Sequence, residues 1–211
     1  MNAYGDQLGK TSTAAEKARK LNDVLFLANK YGKTTFEEMA QGVGSVISTA
    51  AVAKVPFEEL AAGIATMTAA GISTPETITA LNQVLLAFVS PTKAAADEAK
   101  KYGIELDAAS LKSLGLQGAL AKVQERIGDN TEALATVFGN VRAFKAASVL
   151  AGEGAGKFAT TLNIMRTQGG ITDKVFTDVS NTLEFGFGRA LQVADAAARS
   201  VGAAFVQEFG I

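Results

Sequence analysis

An all-α fold, an irregular bundle of about nine to ten short helices with a longer C-terminal helix, is what this sequence predicts. Three observations lead there. Apolar residues recur at steps of three and four along most of the 211 residues, the spacing of a helix face and not of a strand. Each of the three prolines stands where a helix start is expected, and Gly residues follow the last apolar position of most stripes. Composition agrees, because 48% apolar but only 7% aromatic residues make the core depend on Ala, Leu and Val, which suit closely packed helices.

After a polar leader, Leu21, Val24, Leu25 and Ala28 form one stripe, closed by Gly32 after Tyr31. Thr34-x-x-Glu37 is a capping box, in which the Thr hydroxyl and the Glu carboxylate each take a free backbone N–H. It opens a second helix with Phe36, Ala40, Val43, Ile47 and Ala50 on one face. Pro56 suits the first turn of a third helix carrying Phe57, Leu60, Ala61, Ile64 and Met67, with Gly71 as a left-handed stop. Thr74 then caps a helix with Pro75 in its first turn, Glu76 at the positive end of the dipole, and Ile78, Leu81, Leu85 and Phe88 inside. Ser90-Pro91 repeats the cap-then-proline device and begins a polar helix that ends at Gly103.

Ile104-Glu105-Leu106-Asp107 is read as loop, since no partner strand is found for it. Leu116, Leu120, Val123 and Ile127 make a helix ended by Gly128; Asn130 caps the next, with Leu134, Val137 and Phe138. An alanine-rich helix runs from about Asn140 to Leu150, a Gly-rich link spans Gly152 to Gly156, and Phe158, Leu162 and Met165 mark a further helix before Gly169-Gly170. In the last forty or so residues Phe187, Leu191, Ala194, Ala198, Val201 and Phe205 alternate in steps of four and three, a heptad-like period. This stripe is the candidate partner-contact surface; docking on the domain's own core and pairing with another chain both fit it. The organisation is thus residues 1–32 as leader and first helix, 33–168 as helical core, and 169–211 as the C-terminal helix.

The chain has no His and no Cys. That excludes His general bases, Cys nucleophiles, Ser-His-Asp triads, ordinary zinc sites and disulfides within it. No catalytic residue, cofactor or metal site is assigned. With 20 Lys+Arg against 21 Asp+Glu, the net charge of −1 removes the basic footprint of a dedicated nucleic-acid binder. The longest apolar run, Val84 to Val89, is far short of the roughly 20 residues of a membrane span, and the segment is expected to be soluble.

Gly152-Glu153-Gly154-Ala155-Gly156-Lys157 invites comparison with a phosphate loop, but Ala151 stands where the first glycine belongs and Phe158 where Ser or Thr would bind magnesium. An interhelical hinge is the better reading. The pairs Glu37-Glu38 and Glu58-Glu59 lie in first helical turns, where the dipole favours carboxylates. Lys17, Arg19, Lys20 and Lys100-Lys101 lack interleaved aromatics and read as solvated surface.

From Phe36 to about Leu150 the chain resembles a known family. Val55 to Ile72 (VPFEELAAGIATMTAAGI), Leu81 to Leu86 (LNQVLL), Ser90-Pro91-Thr92-Lys93, Tyr102 to Asp107 (YGIELD) and Val137-Phe138-Gly139 stand in the order of the central domain of phage tail tape-measure proteins. Thr74-Pro75-Glu76-Thr77 departs from it, where the family often has a Gly-Thr turn. The resemblance implies a virion protein of the tail tube lumen, present in the host cytoplasm during assembly, that sets tail length and leaves during genome ejection. Its implied partners are tube, tip and assembly-chaperone proteins and copies of itself, with host-envelope contact by the full-length protein and no specific nucleic-acid binding.

A continuous helix gains about 1.5 Å per residue, so 211 residues would reach only about 320 Å and, folded, have a radius of gyration near ~17 Å. The segment therefore reads as a folded domain of a longer ruler. Two other classes compete: a helical interaction module unrelated to phage tails, and a carboxylate enzyme acting on cell-wall glycan, which needs two acids flanking a cleft.

Overall fold

The computed structural model describes residues 13–178 and residue 180. Among these residues the backbone is helical or connecting, without a strand. The chain falls into two units, Met1–Gly169 and Gly170–Ile211. In the first lie α1 (Ala14–Tyr31), α2 (Phe36–Ala53), α3 (Phe57–Ala69), α4 (Thr74–Val89), α5 (Lys93–Lys101), α6 (Ala108–Ile127), α7 (Thr131–Phe138), α8 (Val141–Ala151) and α9 (Ala155–Thr167). In the second, residues 171–178 are helical and Phe176 is exposed. The stripe from Phe187 to Phe205 lies outside the described residues. Among those that are described, no helix is long and apolar enough to cross a membrane.

The first unit is built around α3, in which every residue from Phe57 to Thr68 is buried. Its sequence permits this because small residues separate the large ones. Gly63 lets α4 approach closely, since a Cβ added there would stand 3.3 Å from Leu81 Cδ2. Its buried threonines are satisfied within the helix: the Thr66 and Thr68 hydroxyls donate, at 2.8 Å, to the carbonyls of Ala62 and Ile64 respectively. Leu60, Ile64 and Met67 are shielded from water, each contributing about 1.5–3 kcal/mol of burial. Around α3 pack α1, α9, α4 and α8; α2 packs on α4, and α5 on α7.

Helix ends follow the expected residue types, with shifts of register. Gly32, Gly71, Gly103 and Gly128 stand at the ends, the last three at positive φ, and Asn130 and Asn140 cap α7 and α8. The capping box of α2, however, is Thr35 with Glu38, not Thr34 with Glu37. Both spacings satisfy the pattern; the choice is tertiary, because Thr34 is buried and accepts a 2.8 Å hydrogen bond from the Thr74 hydroxyl across the fold. Thr74 is likewise not the cap of α4: Ser73 is, and Thr74 is the buried first residue. Pro75 alone sits inside a first turn. Pro56 is itself the N-cap of α3, and Pro91 precedes the true cap of α5, Thr92, while Ser90 closes α4. Thr35→Ala should lower stability by about 1 kcal/mol, the usual worth of such a cap, read as a shift of the urea midpoint; Thr34→Ala with a larger loss and an unaffected Thr35→Ala would contradict the assignment.

The apolar face of α2 is also rephased. The buried residues are Met39, Val46, Ala50 and Ala53, whereas Phe36 and Ala40 are exposed and Val43 and Ile47 half-buried. The helix has apolar residues on two adjoining edges, and packing on α4 selects one: Gly42, beside the buried edge, faces the Ile78 side chain. α6 starts earlier than its second apolar stripe suggests, at Ala108 with Asp107 as cap. It breaks at Gly115, whose φ of 71° and ψ of 171° are not helical.

Candidate functional site

The break in α6 leads to the most unusual side chain of the fold. A helix restarting at Leu116 has a new first turn with unpaired amides, and this one is inside the protein: Leu116 is fully buried. The group that meets it comes from α3. Glu59, in the first turn of α3 and 2% exposed, accepts a short hydrogen bond from the Leu116 amide. Its other carboxylate oxygen pairs with the Arg166 guanidinium of α9 at 2.5 Å. One carboxylate thus ties three helices together across sequence separations of 57 and 107.

Burial holds the Glu59 carboxyl above its ordinary value, opposed by the Leu116 amide and by Arg166. The opposition is incomplete because Arg166 is half exposed, 51% at the side chain, and water screens its charge. Gly115 belongs to the same arrangement. A Cβ placed there would meet Glu59 Oε1 at 2.5 Å, and its backbone angles lie in a region only glycine adopts readily.

Glu58, the neighbour, points elsewhere and pairs with Lys20 of α1 at 2.9 Å. It borders an open groove of about 490 Å³ lined also by Lys54, Pro56, Lys112 and Arg166. The two carboxylates that are adjacent in sequence are therefore each engaged by a cation of a different helix. Sequence reasoning placed both as dipole-favoured residues of a first turn, which they are. It missed that Glu59 caps a second helix; the one available signal was Gly115 inside an otherwise helical pattern. In the other acidic pair, Glu38 closes the capping box, with a carboxylate oxygen 3.1 Å from the Thr74 hydroxyl oxygen.

The Gly-rich segment forms the junction of α8 and α9. Gly152 is the C-cap of α8 and Gly154 the N-cap of α9. A Cβ on Gly154 would collide with the Val149 backbone carbonyl oxygen of α8 and stand 3.1 Å from the Thr66 methyl of α3, so this glycine serves the tight α8–α9 turn and the approach to α3. Among the described residues no group of three or more carboxylates is placed to hold a metal ion.

Two landmarks remote in sequence converge at a second place. Gln83, Ser90, Pro91 and Thr92 from the end of α4 and start of α5, and Val137, Phe138 and Gly139 from the end of α7, line one groove of about 180 Å³. It contains no titratable side chain and is wide enough for one side chain or a few waters. Its walls are the packed ends of α5 and α7, which explains why these stretches sit together in the fold.

Comparison with known proteins follows the same stretch. The family described as phage-related minor tail protein matches residues 1–139. The chain is 28% identical over 192 residues to the probable tape measure protein of Clostridium phage phiCD119, covering 87% of this chain and 20% of that protein. The chain therefore corresponds to about a fifth of the length of that curated relative. No solved structure matches.

Proposed function

Since the chain belongs to the phage-related minor tail protein family, we propose that it is a non-catalytic structural domain of a tail tape measure protein. It takes part in tail assembly and length determination and in genome ejection. The observation that carries this reading is the alignment of most of the chain with one fifth of a probable tape measure protein. A compact helical unit inside a much longer chain is a contact domain, and the ruler is the remaining polypeptide, at about 1.5 Å per helical residue. The protein works in the tail tube lumen and, during assembly, in the host cytoplasm. Its partners are tube, tip and chaperone proteins and further copies of the chain, with host-envelope contact made by the full-length protein. The non-catalytic part of the reading is supported by Glu58 and Glu59, both spent on cations between helices, which leaves no pair of free acids flanking a cleft there.

In-frame deletion of helical segments outside this domain should shorten tails by about 1.5 Å per residue removed, measured by electron microscopy of assembled particles. Tails of unchanged length would overturn the reading.

A further inference from the structure

Three helices bring cations to one groove. Among the described residues its walls are Lys54 at the end of α2, Pro56 and Glu58 at the start of α3, Lys112 in the part of α6 before its break, and Arg166 near the end of α9, around an open space of about 490 Å³. The whole chain carries 20 Lys+Arg against 21 Asp+Glu, so three cations against one carboxylate is a local concentration of charge. That carboxylate is already answered, because Glu58 pairs at 2.9 Å with Lys20 of α1, which does not itself line the groove. Lys54 and Lys112 are exposed and make no ion pair among the described residues. Arg166 gives Glu59 its Nη2, which leaves the other N–H donors of a planar fork. Its tie to a buried carboxylate fixes the guanidinium in advance, so less side-chain freedom is lost when a second anion arrives. Lys54 adds an independent sign. It is the one non-glycine residue at positive φ among those described, at 58°, in a C-cap position that glycine occupies without steric penalty. The cation is kept there against the backbone's preference.

We infer that this groove docks an acidic segment of a partner protein, whose carboxylates meet Lys54, Lys112 and Arg166 while an apolar residue beside them lies on Pro56 and the lysine stems. The charges select an anion, and the walls select its class. Despite the cations the walls are mostly carbon, since Lys and Arg present methylene stems and are polar only at their tips. A peptide with Glu or Asp next to an apolar side chain matches both parts of such a surface. A nucleic-acid strand asks instead for cations strung along its backbone and aromatic faces for its bases, and among the described residues no aromatic side chain lines this groove. The volume falls within the ~300–1,000 Å³ of ligand-sized clefts, so it takes a few side chains of the partner. The inference rests on the groove alone and stands or falls apart from the tape-measure role.

Fluorescence anisotropy of a short labelled peptide carrying several glutamates around a leucine, titrated with the full chain, should show saturable binding that weakens as salt is raised. The same peptide with glutamine for every glutamate should not bind. Lys112→Gln should weaken binding about threefold and Lys112→Glu about tenfold. Lys100→Gln removes the same charge from an exposed position of α5 outside the groove and should leave binding unchanged. Lys54→Gly separates binding from folding: relief of the left-handed Lys should raise the thermal midpoint, while the lost cation weakens the peptide about threefold. Absence of saturable binding, equal binding of the glutamine peptide, equal losses from Lys112→Gln and Lys100→Gln, a Lys54→Gly chain that binds like wild type, or a single-stranded oligonucleotide that displaces the peptide and binds more tightly would each overturn the proposal.

Discussion

Gly115→Ala should be a severely damaging small substitution, costing about 3–5 kcal/mol. Two effects add. The backbone at φ 71° and ψ 171° lies where a residue with a Cβ is strained by about 1–3 kcal/mol. The new methyl would also overlap Glu59 Oε1. That oxygen cannot simply retreat, because its carboxylate is held by the Leu116 amide on one side and Arg166 on the other. Moving it leaves a buried amide without a partner, for about 1–3 kcal/mol more. In a chain of this size the thermal midpoint should fall by about 10 °C. Gly44→Ala in α2, at ordinary helical angles with open space around it, should instead be neutral or slightly stabilising. A Gly115→Ala loss under about 1 kcal/mol would mean that the break in α6 is not held as described.

Glu59→Ala is the second large effect, expected at about 2–3 kcal/mol. Arg166 is half exposed and can turn to water, so its loss of a partner is the smaller part. The Leu116 amide cannot, and its orphaning dominates. Glu59→Gln keeps an acceptor for that amide and should cost less, about 1 kcal/mol near neutral pH. The two also differ in pH dependence. Burial raises the Glu59 carboxyl above its ordinary 4.5, so the folded chain binds this proton more tightly than the unfolded chain. The proton-linked part of this group's stabilisation is then complete below pH 4.5 and lost as pH rises through the raised folded value. Wild type should therefore lose stability relative to Glu59→Gln over that interval. Denaturant titrations of both proteins across mildly acidic pH test this, and parallel curves would refute it.

Glu59 and Gly115 also mark where sequence reading stops. A glycine inside a helical stretch signals a possible break, and a Glu in a first turn signals dipole compensation; each statement is local and each is correct. That the two meet is a matter of residues 57 positions apart in sequence being brought together, and no periodicity carries that information. The same holds for the threonines. Thr34 and Thr35 both offer a capping box, and only the hydrogen bond from Thr74 decides between them.

The sequence by itself determined the helical class, the order of the helices, most of their stops, and the buried stripes of α3, α4, α7 and α9. These depend on interactions within one or two turns: the spacing of apolar residues, a side-chain oxygen reaching an amide three residues on, a glycine taking positive φ. Only the tertiary structure decided which edge of α2 is buried, because Met39, Val46, Ala50 and Ala53 and the neighbouring Phe36, Ala40 and Ile47 form stripes of similar apolar content. The face of α4 covers one and leaves the other open. It also decided that α3 is enclosed on every side and that its second glutamate caps another helix. Both are consequences of packing, in which a buried polar group must find its partner wherever the chain has placed one.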